Sequence, residues 1–273
     1  MATGILGPIA SVATSPMTIP GTIKAFPGGD AENAGARVVP IRHAAAGVIV
    51  VIPARDEEAD VGAVVERVLA LGFRAVVVDD HSSDGTRESA RRAGATVLEL
   101  PFHAGSWAAI QAGMRYARQC NCTHVVTLDA DGQHNPEDIP ALLGLMSTEE
   151  APNVVIGACV ERANRRRRLA WQLLRWLSGL KVDDLTSGFR AYDRTAVELL
   201  ASQQHTLLEY QDVGVLLCLR HADLKISEID VPMQARCHGM SRIFSSWPMV
   251  AYYLVYSSLI GGSRRRRPKG DPT

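Results

Sequence analysis

Two aspartates and a glutamine follow an apolar run near the middle of the chain. Asp129, Asp131 and Gln133 come directly after His-Val-Val-Thr-Leu at 124–128, which has the composition of a buried strand. Ligands of open α/β sheets bind at the carboxyl ends of the strands, so these side chains are expected to face a cleft. Their oxygen atoms suit Mg²⁺ or Mn²⁺ carried on a diphosphate. The alternative is a loop whose acids cap the next helix, because Asn-Pro-Glu-Asp at 135–138 is a typical helix start.

Two further strand ends carry groups that could bind a ligand. Asp79 and Asp80 end the apolar run at 75–80 and could accept hydrogen bonds from a nucleobase or a ribose. The alternative is a turn closed by side-chain hydrogen bonds, which the following Asp84-Gly85 favours. Gly105 opens a segment of small residues that allows the backbone to approach a phosphate, or simply allows close packing of a helix on a strand.

The elements that must position these residues alternate along the chain. Apolar runs at 48–53, 75–80, 96–100, 123–128 and 153–157 predict strands, and helical spacing predicts helices at 61–69, 86–93, 104–118 and 136–146. This alternation with short connections predicts an α/β fold, a doubly wound and mostly parallel sheet with flanking helices. Residues 225–233 are predicted to form an edge strand, because Pro232 prevents further pairing.

Composition narrows the class of protein. With 273 residues and 47% hydrophobic content, the chain can bury one sizeable core. The formal net charge is zero, which argues against a nucleic-acid partner. Five cysteines without metal-ligand spacing argue against a disulfide framework and a zinc site, and favour the reducing cytoplasm.

Both ends of the chain differ from the middle. Residues 1–46 lack any sustained periodicity and are predicted to be a disordered leader rather than a signal peptide. Residues 245–273 combine aromatic and apolar residues at 247–260 with four arginines at 264–267. This pattern favours a short amphipathic helix and basic tail lying on a membrane surface. The alternative is that the segment packs on its own domain.

Four motifs, each at a predicted strand end or loop, occur in a familiar order. They are Pro-Ala-Arg-Asp-Glu at 53–57, Val-Asp-Asp-His-Ser-Ser-Asp-Gly-Thr at 78–86, Asp-Ala-Asp-Gly-Gln-His at 129–134 and Asp-Leu-Thr-Ser-Gly-Phe-Arg at 184–190. Together they resemble the family 2 glycosyltransferases of the Rossmann-like GT-A fold, in the dolichol- or polyprenyl-phosphate mannose synthase-like branch. The resemblance covers 47–244, and implies a nucleotide-binding half at 47–135 and an acceptor half at 136–244.

The resemblance implies an activity and its partners. It implies an inverting, metal-dependent transfer of a sugar from a nucleotide-sugar donor to a polyprenyl phosphate or similar lipid acceptor. Such an enzyme would be cytoplasmic and bound peripherally to the inner face of a membrane, with a membrane protein or a second copy of the chain as a further partner. One alternative is transfer to a hydroxyl acceptor with Asp212 as the base. Others are a nucleotidyltransferase and a non-catalytic sugar-nucleotide-binding protein.

The resemblance also assigns residues. Asp129, Asp131 and Gln133 would hold Mg²⁺ or Mn²⁺, with Asp131 and Asp212 as the catalytic candidates. The chain departs from the branch at Cys159, where an arginine is usual, and at 103–107, where an asparagine and Gly-Lys-Gly are frequent. The predicted substrate contacts are Pro53, Arg55, Glu57, Asp79, Asp80, His103, Gly105, Asp129, Arg162, Arg168, Ser187, Arg190, Arg236, His238, Ser241 and Arg242.

Overall fold

A computed structural model describes residues 47–159, 182–203 and 213–233. The predicted leader at 1–46 and the predicted membrane-proximal segment at 245–273 lie outside these residues. In the part of the chain that is described, no helix is both long and apolar enough to cross a bilayer.

Seven strands and six helices make up the described fold. The strands are β1 (Val48–Ala54), β2 (Arg74–Asp79), β3 (Thr96–Glu99), β4 (His124–Thr127), β5 (Val154–Ala158), β6 (Arg190–Asp193) and β7 (Ile226–Asp230). The helices are α1 (Val61–Ala70), α2 (Thr86–Arg92), α3 (Ser106–Gln119), α4 (Ile139–Met146), α5 (Arg194–Leu200) and α6 (Val213–His221). A 3₁₀ turn at Pro136–Asp138 leads into α4.

The strands form one sheet in the order β3-β2-β1-β4-β6-β5-β7. Neighbouring strands are parallel, except that β6 runs antiparallel to both β4 and β5. The prediction of a mostly parallel sheet is therefore confirmed, and β7 lies at the sheet edge as Pro232 indicated. Because the two predicted halves share one continuous sheet, the boundary between them stays a prediction.

Alternate residues of the buried strands supply the two sides of the core. Ile49 and Val51 of β1 face a cluster that includes α3, α5 and α6, whereas Val48 and Val50 face α1, α2 and α4. Helix α3 lies directly on β1, since a Cβ at Gly113 would be 2.3 Å from a methyl carbon of Val51. Helices on both faces explain why the strands are continuous apolar runs.

Strand β6 and helix α5 were not predicted. Arg-Ala-Tyr-Asp at 190–193 is short, has a charged residue at each end and does not have the composition of a central strand. It is nevertheless inserted between β4 and β5. The insertion brings the motif at 184–190 beside the end of β4, next to the loop at 129–134, which is called the acidic loop below.

Candidate active site

The loops that follow β1 and β2 are hydrogen-bonded to each other. The Asp56 amide donates to Ser82 Oγ at 3.0 Å, and the Ser83 amide donates to Asp56 Oδ1 at 2.8 Å. The Glu57 amide donates to Thr86 Oγ1 at 2.8 Å. These bonds satisfy backbone donors outside the sheet and join the two strand ends into one rim.

Three residues predicted to bind the donor lie on this rim. Pro53 is in β1, while Arg55 and Glu57 are in the loop after it, and all three are half-buried. The Arg55 guanidinium lies 3.7 Å from the carboxylate of Asp56. The structure thus brings together a cation and acids at the open end of the sheet.

Asp80 joins this rim to the loop before α3. It is 4% exposed, and its carboxylate accepts hydrogen bonds from the amides of Ala104 at 2.7 Å and Gly105 at 2.9 Å. His103 Nδ1 lies 2.8 Å from Asp80 Oδ2, and the His103 side chain is 50% exposed. Three predicted contacts, Asp80, His103 and Gly105, therefore form one cluster in which the histidine ring is the accessible part.

The neighbouring Asp79 has a different environment. Its exposed fraction is 0%, its carboxylate accepts from the Ser82 amide at 3.2 Å, and Arg87 Nε lies 3.8 Å away. The alternative of a turn closed by side-chain hydrogen bonds describes Asp79. Asp79 could contact a substrate directly only if this turn opened. Its position therefore favours a role in holding the turn rather than in binding the substrate.

The acidic loop places its two carboxylates at different depths. The Asp129 side chain is 38% exposed, Asp131 is 8% exposed, and Ala130 between them is buried. Asp131 Oδ1 accepts a hydrogen bond from the Gln133 amide at 3.1 Å. The chain reverses at Gly132, where φ is +70°, a conformation that favours glycine.

The oxygen ligands in this loop suit a divalent metal ion that binds together with a phosphate-bearing substrate. Among the described residues, no three His, Cys, Asp or Glu side chains are arranged to enclose an ion. Mg²⁺ on a phosphate substrate is usually held by only one or two carboxylates, with phosphate and water oxygens completing the shell. Asp129 and Asp131, with the Gln133 amide group close in sequence, form such a partial set of hard oxygen ligands.

A backbone segment lies against the Asp129 carboxylate. A Cβ at Gly188 would be 2.7 Å from Asp129 Oδ1 and 2.8 Å from Oδ2. The Thr127 hydroxyl donates to the Gly188 carbonyl at 2.7 Å, which fixes this approach. Gly188 was not among the predicted site residues, although the glycine inside the Thr-Ser-Gly-Phe-Arg motif was a signal for it.

Two predicted substrate contacts in the same motif are buried instead. The Ser187 hydroxyl donates to the Gly157 carbonyl at 2.6 Å, and Arg190 Nη2 donates to the Leu185 carbonyl at 3.1 Å. Both side chains fold the 183–190 loop onto β5 and onto itself. Their burial argues against direct substrate contact and favours a supporting role.

His134 is a further residue at this site that was not among the predicted site residues. Its ring is buried and packs on Phe189 with ring centroids 5.3 Å apart, and its Nε2 lies 3.9 Å from Asp129 Oδ2. Its backbone forms an isolated antiparallel bridge with Met233. The signal was its place directly after Gln133 at the end of the acidic motif.

A second group of acids anchors the 183–190 loop. The Glu228 carboxylate accepts from the amides of Asp183 at 2.6 Å and Asp184 at 2.9 Å. Burial raises the pKa of Glu228 from 4.5 to about 7, although the two amide bonds act in the opposite direction. Asp184 in turn accepts from the Thr186 amide at 2.9 Å and the Cys159 amide at 3.3 Å.

This raised pKa predicts a pH-dependent stability. Folding favours the protonated form of Glu228, so its contribution to the free energy of unfolding is complete below pH 4.5 and is lost as the pH rises through about 7. The shift corresponds to about 3 kcal/mol at most. Urea unfolding should show that the free energy of unfolding of the wild type is lower at pH 8 than at pH 5. The difference should be smaller in Glu228→Gln. An equal decrease in both proteins would contradict the assignment.

Seven predicted site residues lie outside the described part of the chain, and their roles stay predictions. They are Arg162, Arg168, Asp212, Arg236, His238, Ser241 and Arg242.

A solved structure identifies the class of fold. The crystal structure of glucosyl-3-phosphoglycerate synthase from Mycobacterium tuberculosis, in complex with Mn²⁺, UDP and phosphoglyceric acid, matches with a TM-score of 0.65. The match covers 88% of this chain and 86% of that chain at 24% identity. The seven-stranded, mostly parallel sheet with flanking helices is therefore the GT-A fold of glycosyltransferases.

Sequence comparison then identifies the family. The profile of Glycosyl transferase family 2 matches residues 49–200, which is more than half of the chain. The chain belongs to this family and is a glycosyltransferase.

Two curated relatives carry names of the predicted polyprenyl-phosphate branch. The dodecaprenyl-phosphate galacturonate synthase of Rhizobium johnstonii is 29% identical over 215 residues, covering 70% of this chain and 60% of the relative. The polyprenol monophosphomannose synthase of Mycolicibacterium smegmatis is 29% identical over 168 residues, covering 55% of this chain and 63% of the relative. The matches thus span less than two thirds of either relative.

Proposed function

We propose that this glycosyltransferase moves a sugar from a nucleotide-sugar donor to a polyprenyl phosphate or similar lipid phosphate, with inversion and with a divalent metal ion. The observation that carries the proposal is the position of the acidic loop. Asp129 and Asp131 lie at the carboxyl edge of the sheet, after β4. Strand β4 is the neighbour of β1, so these residues lie beside the rim formed by the loops after β1 and β2, here called the nucleotide rim. The named activities of the two relatives support the lipid-phosphate acceptor.

The donor nucleotide is assigned to the rim formed after β1 and β2. Arg55 and Glu57 would meet the base or ribose together with the accessible ring of His103. Asp80 would act mainly by holding the 103–105 loop, because its carboxylate already accepts two backbone bonds. The UDP bound in the structural relative supports a nucleoside-diphosphate sugar as the donor.

The acidic loop is assigned to the diphosphate. Asp129, Asp131 and Gln133 would hold Mg²⁺ or Mn²⁺, and the bound ion would neutralise negative charge on the departing nucleoside diphosphate. The partial burial of Asp131 strengthens its electrostatic effect, because charges interact more strongly away from water. Asp129, which is more exposed, would face the substrate directly.

The acceptor decides whether the enzyme needs a base. A lipid phosphate is already anionic, so a single in-line displacement at the anomeric carbon needs no proton removal and inverts the configuration. The acceptor or the diphosphate would be bound by a set of basic and hydroxyl side chains: Arg162, Arg168, Arg236, His238, Ser241 and Arg242. The second candidate is a hydroxyl acceptor with Asp212 as general base. Cys159 favours it, since the polyprenyl-phosphate branch usually has an arginine at this strand end.

An assay of both acceptor classes separates the two candidates. Purified protein with a panel of nucleotide sugars and Mg²⁺ or Mn²⁺ would be scored for nucleoside diphosphate release. Release that depends on added polyprenyl phosphate supports the first candidate. Release with hydroxylated acceptors but not with polyprenyl phosphate would overturn it in favour of the second.

The proposed acceptor places the enzyme at the cytoplasmic face of a membrane as a peripheral protein. Residues 245–273 are expected to give reversible, salt-sensitive binding, because each juxtamembrane arginine contributes about 1 kcal/mol with anionic lipid. Removing them should therefore release the protein from anionic vesicles in co-sedimentation at low salt. A membrane-protein partner or a second copy of the chain stays a prediction.

A matched variant separates charge from apolar contact. Replacing the four arginines at 264–267 by serine keeps the aromatic and apolar residues at 247–260 and should lose the salt-sensitive part of binding. Neutral vesicles serve as the lipid control. Full-length protein that stays in the supernatant of anionic vesicles at low salt would show that the segment packs on protein, and would remove the main physical support for a lipid acceptor.

A further inference from the structure

Glu228 lies on the edge strand β7 and faces the start of the 183–190 loop. Its two carboxylate oxygens are used by successive backbone amides, Oε2 by Asp183 and Oε1 by Asp184. A carboxylate that accepts two adjacent N–H groups fixes the direction of the chain at that point. Glu228 is half-buried, and removing an acid from water is unfavourable unless its hydrogen bonds are made, which they are here.

The loop that begins at this anchor is held at each following step. Asp184 Oδ1 accepts from both the amide and the hydroxyl of Thr186, at 2.9 and 3.0 Å. Asp184 Oδ2 accepts from the Cys159 amide at the end of β5. The Ser187 hydroxyl then donates to Gly157. The segment 183–187 is thereby tied to β5 and β7 with little freedom to shift.

The other end of the loop is the wall of the acidic site. Gly188 approaches Asp129 so closely that a Cβ would be under 3 Å from both carboxylate oxygens. A small displacement of the loop would therefore either open a gap beside Asp129 or push its carboxylate aside.

We propose that Glu228 is a positioning residue of the transferase, which holds the 183–188 loop so that Gly188 orients the Asp129 carboxylate. This inference rests on the proposed role of Asp129 in binding the metal and diphosphate. In this role Glu228 acts through the backbone of the loop, by its bonds to the Asp183 and Asp184 amides.

The test compares Glu228→Gln with Glu198→Gln. The first keeps the size of the side chain but presents an NH₂ group to one of the two amides. The second is a matched control, because Glu198 is an exposed acid paired with Arg194 on α5. Hydrogen exchange at pH 8 would be followed in peptides covering 127–134 and 182–189. Mn²⁺ binding with and without UDP would be measured by electron paramagnetic resonance, with kcat and KM for the donor alongside.

The expected result is faster exchange in both peptides of Glu228→Gln. Because groups that orient metal ligands typically change metal affinity or activity by 10- to 100-fold, we expect a loss of about tenfold in Mn²⁺ affinity and in kcat. Glu198→Gln should match the wild type. If Glu228→Gln does not fold, Glu228→Asp, which keeps the charge with a shorter reach, is compared in the same way.

A specific outcome would overturn the inference. Faster exchange at 182–189, with exchange at 127–134 and Mn²⁺ affinity both at wild-type values, would make Glu228 a local anchor only. Failure of the proposed function looks different, because the wild type itself would then neither bind Mn²⁺ nor release nucleoside diphosphate. In that case exchange at 127–134 alone decides whether Glu228 positions the Asp129 loop.

Discussion

Replacing Asp131 by asparagine is expected to reduce sugar transfer by about 10²- to 10³-fold, comparable to the loss of a single electrostatic group that stabilises a transition state. The variant should fold normally, because asparagine Oδ1 can still accept the bond that the Gln133 amide makes to Asp131. The substitution therefore removes one negative charge while keeping the size of the side chain. Initial rates of nucleoside diphosphate release at saturating Mn²⁺, with circular dichroism for folding, measure the effect.

Asp223→Asn is the matched control for this substitution. Asp223 is exposed in the turn between α6 and β7 and has φ of +56°. It lies at the amino ends of the parallel strands, whereas the acidic loop lies at their carboxyl ends. Asparagine tolerates this conformation well, so activity should be unchanged. Full activity of Asp131→Asn, or of the wild type in excess EDTA, would show that the metal assignment is wrong.

Replacing Gly188 by alanine is expected to reduce transfer by about 10- to 100-fold, as displacement of a metal-orienting contact typically does. The added Cβ would be 2.7–2.8 Å from the Asp129 carboxylate oxygens. A carboxylate at the end of a side chain can rotate away, so the substitution displaces Asp129 without forcing the backbone to move. Activity should fall while the free energy of unfolding changes by less than about 1 kcal/mol.

Gly144→Ala is the corresponding control. Gly144 is exposed on α4, and a Cβ there would meet no atom within 4 Å. Alanine in a helix should leave activity unchanged and stabilise the protein by about 0.4–1 kcal/mol. Gly188→Ala activity and Mn²⁺ affinity equal to those of Gly144→Ala would show that Asp129 does not bind the ion.

The sequence alone was sufficient to predict the strands that are marked by a run of neighbouring apolar residues. Strands β1, β2 and β4 are built on apolar runs, and a polar residue follows each strand within two positions of its end. Because parallel strands end at a common edge, this order placed the nucleotide rim and the acidic loop on the same side of the sheet. The class of fold and the family followed from the same residues.

The tertiary structure alone separated residues that look alike in the sequence. Asp79 and Asp80 are adjacent acids at one strand end, yet one is enclosed in its own turn and the other holds the 103–105 loop. Their side chains point to opposite sides of an extended chain, and the sequence does not say which side carries the partner loop.

The contacts that complete the acidic site were also decided only by folding. Gly188 is 59 positions from Asp129 in the chain, and Glu228 meets Asp184 from a separation of 44. These approaches exist because β6 runs antiparallel between β4 and β5, an insertion that leaves no periodic signal in four residues. A helix or strand can be predicted from the sequence when buried positions recur regularly along it. Which two loops meet depends instead on the order of the strands in the sheet.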